Sequence, residues 1–72
     1  MKKFELLTTD TKDLFGRKLF RIRALRDFGD VKAGELGGYV EKEGNLSHDG
    51  NAWVFFDAEI YGNAKISGDA KI

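Results

Sequence analysis

The chain has 72 residues, and its 12 Lys and Arg balance 12 Asp and Glu, so its formal net charge at pH 7 is zero. A chain this short forms one small domain, and its balanced charge does not point to nucleic acid. It contains no Cys, which excludes disulfides and thiolate metal sites and fits the cytoplasm. No apolar run approaches the ~18 residues that cross a bilayer, and no apolar stretch follows the Met-Lys-Lys start as in a signal peptide.

The first part of the chain is predicted to be a β-hairpin. Residues 2–7 alternate as a strand, and the Thr, Asp and Gly content of residues 8–12 and 14–17 predicts two turns. Residues 18–26 also alternate, although a helix is possible for the same segment. On strand geometry, one face of that segment carries Phe20, Ile22 and Ala24.

A Gly- and Asp-rich segment, residues 27–38, is predicted to be a loop that leads into an internal repeat. From Gly44 the chain reads GNLSHD, GNAWVF, FDAEIY, GNAKIS and GDAKI. Asn or Asp is the second residue of each unit, Leu or Ala follows it, and Val or Ile comes two positions after the alanines. The apolar positions of the repeat are Leu46, Ala52, Val54, Ala58, Ile60, Ala64, Ile66, Ala70 and Ile72.

Short strands separated by fixed turns favour a coil, because residues two apart share a face and Gly and Asn accept left-handed turns. The spacing resembles the hexapeptide repeat of left-handed parallel β-helices, in which stacked residues lie about eighteen apart. We therefore expect a mainly β protein, with residues 1–37 as an N-terminal cap and residues 38–72 as a short solenoid. The alternative is a chance Ala and Ile run in a β-meander.

The last coil of such a solenoid would leave apolar side chains uncovered, which predicts self-association. A homodimer is favoured, with a different protein partner or a longer repeat protein as alternatives. The expected contact residues are Ala64, Ile66, Ala70 and Ile72.

Several aromatic residues of the repeat are predicted to point away from the coil and to bind a protein partner, since aromatics are enriched at interface centres. The alternative is that the hairpin covers them. These residues are Trp53, Phe55, Phe56 and Tyr61. Phe56 occupies a corner at which the other units have Gly.

A basic stretch in the hairpin is a candidate for phosphate contacts, which makes nucleic-acid binding an alternative function. A solvated hairpin face is the simpler interpretation of the same residues. The candidates are Arg17, Arg21, Arg23 and Arg26.

The run DFGDVKAGELGGYV at residues 27–40, followed by the repeat, resembles the YdcK-like hexapeptide-repeat proteins of bacteria and phages. The resemblance implies a left-handed β-helix behind a β-rich N-terminal section, in a bacterial cytoplasm. It supplies no site residues. By association it suggests a module that occludes a partner surface, such as an inhibitor of a host enzyme or of a defence complex like CRISPR-Cas. A structural, self-assembling solenoid is an alternative.

No catalytic, cofactor-binding or metal-binding residue is predicted, and the protein is expected not to be an enzyme. His48 is the only histidine. Hexapeptide-repeat acyltransferases use a His as general base, but a base needs a second group to hold it. Asp49 is adjacent to His48 and would point to the opposite face. The Asp and Asn residues of the repeat are sparser than those of calcium-binding coils.

Overall fold

The computed structural model describes residues 2–72, which form a four-stranded mixed sheet with strand order β1-β2-β3-β4. The strands are β1 (Phe4–Leu14), β2 (Arg17–Ala24), β3 (Leu36–Val40) and β4 (Glu59–Ile60), and a 3-10 turn spans Glu43–Asn45. The pairs β1-β2 and β2-β3 are antiparallel, whereas β3 and β4 are parallel. Within residues 2–72, no helix is long and apolar enough to cross a membrane.

The hairpin of β1 and β2 is longer than the sequence suggested, because the turn predicted at residues 8–12 is wrong. Those residues continue β1, and a bulge between Leu7 and Thr11 absorbs the extra residues on this edge strand. The turn predicted at residues 14–17 is present and is formed by Phe15 and Gly16, both with positive φ. The bulge therefore lets a polar, turn-like sequence stay in the strand.

The predicted left-handed β-helix is wrong as a description of the fold, which is an open mixed sheet. Three of its four strands come from residues 4–40, and the only regular strand after them is the two-residue β4. Apart from β4, the six-residue units are too short to form regular strands. They form isolated parallel bridges instead, one between Leu46 and Ile66 and one between Trp53 and Lys71. The second bridge has the expected spacing of eighteen residues, whereas the first spans twenty.

The buried apolar side chains combine both halves of the chain in one cluster. The segment 27–38 contributes to it, since Phe28 and Val31 bridge to each other and bury their side chains. Gly38 of β3 passes so close to Val54 that no side chain would fit there. The core cluster consists of Phe4, Ile22, Ala24, Phe28, Val31, Val40, Leu46, Ala52, Trp53, Val54 and Ile60.

Candidate functional site

Phe56 has a backbone conformation that is unfavourable for a bulky residue. Its φ is +53°, and the equivalent corners at Gly50, Gly62 and Gly68 have φ of +75°, +66° and +66°. The four corners therefore share the left-handed region, where a residue with a Cβ costs about 1–2 kcal/mol. The Phe56 side chain is nevertheless 83% exposed, so packing within the chain does not compensate for this strain.

The corner that carries Phe56 is held by the guanidinium of Arg21. This group donates hydrogen bonds to the carbonyl oxygen of Phe56 at 3.3 Å, to that of Gly37 at 2.7 Å and to Asp57 Oδ1 at 3.1 Å. It also lies 4.4 Å from the centre of the Tyr39 ring. Because Arg21 ties the corner to strand β3, the exposed ring projects from a fixed backbone.

Of the other aromatic residues predicted to face outward, Trp53 is buried. Its side chain is 0% exposed and packs edge-on against Phe28, with ring centres 5.2 Å apart. The assignment of Trp53 to an outer surface is wrong because residues 27–38 cover that face, and their last three residues belong to strand β3 and not to the predicted loop. Phe55 is partly buried against the core, and Tyr61 is 40% exposed with the Arg17 guanidinium 5.6 Å from its ring centre.

Phe15, which the sequence reasoning did not select, resembles Phe56 in both exposure and conformation. It is 87% exposed, and its φ is +49° at the tip of the β1-β2 hairpin. Asn or Asp is the usual residue before Gly in such a turn. The Phe-Gly pair in a segment already predicted to be a turn was the available signal.

The four residues predicted to form an oligomer contact lie in the segment that stacks on residues 45–55. Ala64 and Ala70 are exposed, Ile72 is 47% exposed, and Ile66 is partly buried against the core. Backbone hydrogen bonds join the two segments. The N–H of Trp53 donates to the carbonyl oxygen of Ala70, and the N–H of Ile72 donates to the carbonyl oxygen of Trp53.

Each of the four arginines of the basic stretch already donates hydrogen bonds within the protein. Arg17 bonds Glu41 at 3.0 Å, Arg21 bonds Asp10 at 2.9 Å, Arg23 bonds Glu5, and Arg26 donates to the His48 carbonyl at 3.2 Å. Three of these acceptors are carboxylates, which locally cancel the positive charge. Nucleic-acid binding by these residues stays a prediction, and phosphates would have to compete with these partners.

His48 forms part of the wall of a pocket of about 370 Å³. The Nε2 atom of His48 lies 2.9 Å from Glu43 Oε1, and its Nδ1 accepts the backbone N–H of Lys3 at 3.0 Å. Hydrogen bonds from Lys2 and His48 lower the pKa of Glu43. The pocket is lined by Lys2, Glu43, Gly44, Leu46, Ser47, His48, Asp49 and Lys65.

The group that orients His48 is therefore Glu43, in the 3-10 turn, and not its neighbour Asp49. Sequence reasoning considered only neighbours on a strand and so missed this residue. Among residues 2–72, no group of three or more His, Cys, Asp or Glu side chains is placed to hold a metal ion.

Lys3 is a charged side chain inside the protein, with 0% of its surface exposed. Its Nζ donates to the carbonyl oxygen of Ala52 at 2.7 Å and lies 4.8 Å from the centre of the Phe28 ring. Burial, followed by the nearby positive charge of Arg26, lowers the pKa of Lys3. Lys3 thus attaches the start of β1 to the repeat.

No family model matches the chain, but a curated protein is similar to it. Over 55 residues it is 42% identical to the uncharacterized acetyltransferase YdcK of Escherichia coli strain K12. The chain resembles YdcK. The aligned segment is 75% of this chain but only 17% of YdcK, so the similarity concerns a small part of the longer protein. The YdcK-like resemblance predicted from residues 27–40 and the repeat is confirmed.

The name of YdcK contradicts the prediction that the chain is not an enzyme. YdcK is uncharacterized, yet it is described as an acetyltransferase, so the chain has a relative that is classed with enzymes. That prediction relied on the absence of a group to orient His48, and Glu43 supplies one at 2.9 Å.

Proposed function

We propose that the chain is a protein-binding module that occludes a surface of its partner, with Phe56 as the central contact. The observation that carries the proposal is the combination of positive φ and 83% exposure at Phe56. Glycine forms the same corner at Gly50, Gly62 and Gly68 without strain. The fold therefore does not require Phe at this position, whereas binding to an apolar pocket on a partner would require it.

The fixed backbone of the corner that carries Phe56 supports binding in a second way. Ordering a mobile loop on association costs free energy that weakens binding. Arg21 already fixes the backbone of the corner through Phe56, Gly37 and Asp57, so less freedom is lost on binding. Large aromatic side chains in such positions often dominate the energy of an interface.

The direct test replaces Phe56 by the residue that its backbone prefers. Phe56→Gly should leave the free energy of unfolding unchanged or raise it by up to about 1 kcal/mol, because strain is removed while the unfolded chain gains freedom. In pull-downs from a bacterial lysate, quantified by mass spectrometry, proteins retained specifically by the wild type should be lost from this variant.

Phe15→Gly is the matched control, because it removes an equally exposed Phe from another left-handed turn. We expect it to keep the partners that Phe56→Gly loses. Equal losses from both variants would show general stickiness, and a wild type that retains no protein specifically would also contradict the proposal.

We further propose that the segment carrying Ala64, Ile66, Ala70 and Ile72 pairs with a second copy of the chain. The support is that Leu46, Ala52 and Val54 are buried beneath this segment, whereas Ala64, Ala70 and Ile72 are exposed on it. Sedimentation should show a dimer that Ile72→Lys dissociates. Oligomers that grow with concentration would favour an assembly module, and a monomer would contradict self-association.

A second candidate function is acetyl transfer, favoured by the paired His48 and Glu43 and by the name of YdcK. His48 would take the proton of the acceptor as the acceptor attacks the acetyl thioester, and would return that proton to the thiolate that leaves when the carbon–sulfur bond breaks. Its Nδ1 would first have to release the N–H of Lys3. Acetyl-CoA turnover that disappears in His48→Asn would support this function, and no turnover in the wild type would contradict it.

A further inference from the structure

His48 connects the beginning of the chain to the repeat through three contacts. Its Nδ1 accepts the N–H of Lys3 at 3.0 Å, and its ring stacks on Phe4, with centres 4.3 Å apart and planes at 12°. Its Nε2 faces Glu43 Oε1 at 2.9 Å. The side chain is 28% exposed, so solvent protons can reach the ring.

These contacts require one protonation state of the ring. A backbone N–H can only donate, so Nδ1 must carry a lone pair, and the proton of the neutral ring lies on Nε2, pointing to Glu43. A protonated ring has two N–H donors and no acceptor. In that state the N–H at Nδ1 would face the N–H of Lys3, and their hydrogen bond would be lost.

We propose that His48 is a proton-dependent latch that holds the backbone of Lys3 against the repeat when neutral and loosens it when protonated, while Phe4 stays in the core and the Lys3 carbonyl stays bonded to Leu25. Glu43 can accept a hydrogen bond from Nε2 in both states and so keeps the ring in place, which leaves the bond to Lys3 as the one that breaks. The charged groups closest to this arrangement are Lys2, which bonds Glu43 at 3.1 Å, and Arg26, which donates to the His48 carbonyl. Further charges near the ring are Asp49 and Lys65 in the pocket and the Lys3 ammonium.

Loosening would change the pocket as well as the N-terminal segment. Lys2 forms part of the pocket wall, and Lys3 Nζ bonds the carbonyl oxygens of Ala52 and Gly50. Loosening of the Lys3 backbone would let Lys2 move and so open this wall.

The test measures the protection of the Lys3 amide against hydrogen exchange by NMR at pH 7.5 and 5.5. We expect wild-type protection, corrected for the intrinsic exchange rate, to fall about tenfold at pH 5.5, as loss of a typical hydrogen bond implies. His48→Asn is the control, because its side-chain oxygen can accept the same N–H and does not titrate. Its protection should change by less than about twofold, because its hydrogen bond to the Lys3 amide is kept at both pH values.

A second measurement needs no variant. The ¹⁵N shifts of the His48 ring at pH 7.5 should show the proton on Nε2, and the Lys3 amide shift should follow the ring titration. A proton on Nδ1, or equal pH effects on Lys3 in the wild type and in His48→Asn, would overturn the proposal.

Discussion

Lys3 and Phe56 lie at opposite extremes of exposure, and both contradict the usual preference of their side chains. Lys3 is 0% exposed, whereas Phe56 is 83% exposed. Lys3 has a local reason, since its ammonium satisfies the carbonyl of Ala52 and such groups are costly to leave unpaired inside a protein. Phe56 has no reason of this kind within the chain, which is why it is the better candidate for a partner contact.

At the residue scale, Glu43 should make the free energy of unfolding depend on pH in the acidic range. Lys2 and His48 lower its pKa in the folded state, so the folded protein binds fewer protons there than the unfolded chain does. This contribution is complete above the unfolded pKa of about 4.3 and is lost as pH falls through the lower, folded value. When the pH falls from 5.5 to 3, the free energy of unfolding of Glu43→Gln should therefore decrease by about 0.5 kcal/mol less than that of the wild type. This is the usual contribution of an exposed ion pair.

Urea denaturation at the two pH values measures this difference. Asp69→Asn is the control, because Asp69 is exposed at the outer part of the repeat, and it should behave as the wild type does. A parallel decline of wild type and Glu43→Gln would contradict the role of Glu43.

At the scale of elements, the loop and strand at residues 27–40 connect the hairpin to the repeat by close packing. A Cβ on Gly37 would lie 2.6 Å from the carbonyl oxygen of Val54 and 2.8 Å from both Ile22 and Trp53. Strand β3 can therefore lie between β2 and the repeat only because it has no side chain at this position. The same packing buries Trp53, which the alternation rule had placed outside.

Gly37→Ala should consequently destabilise the protein by about 3 kcal/mol, at the upper end for an overpacked core, because a backbone carbonyl cannot move aside easily. Gly44→Ala is the matched control, since no atom lies within 4 Å of its added Cβ, and it should change stability by less than about 0.5 kcal/mol. Urea denaturation followed by Trp53 fluorescence measures both. Similar midpoints for the two variants would contradict the packing described here.

At the scale of the whole molecule, one core joins segments that the sequence suggested were a cap and a solenoid. Phe4 and Ile22 of the hairpin pack in the same cluster as Leu46 and Trp53 of the repeat. Among residues 2–72, neither the hairpin nor the repeat has a buried apolar cluster of its own. The division at residue 37 therefore remains a prediction about sequence organisation.

This shared core predicts a single unfolding transition. Trp53 reports on the junction of hairpin and repeat, and far-ultraviolet circular dichroism reports on the strands, so the two urea curves should coincide. Fluorescence that changes at a lower urea concentration than the dichroism would instead show that the halves unfold separately.

The sequence correctly indicated features that depend on neighbouring residues. The turn at Phe15 and Gly16 follows from local backbone preferences, and the strand at residues 18–26 follows from alternation. Burial of Ala52, Val54 and Ile60 follows from their place in the repeat. The His48 and Glu43 pair could not be predicted in this way, because a 3-10 turn brings together residues that no strand period relates.

The sequence by itself determined the repeat, its left-handed corners, the hairpin turn and the resemblance to YdcK, because each depends on residue types at short, fixed spacings. Tertiary structure decided that the sheet is open and mixed, that Trp53 is inside, and that Phe56 remains outside. These outcomes depend on how segments far apart in sequence compete to cover the same surfaces. That competition is decided by packing between them, for which local spacing carries no information.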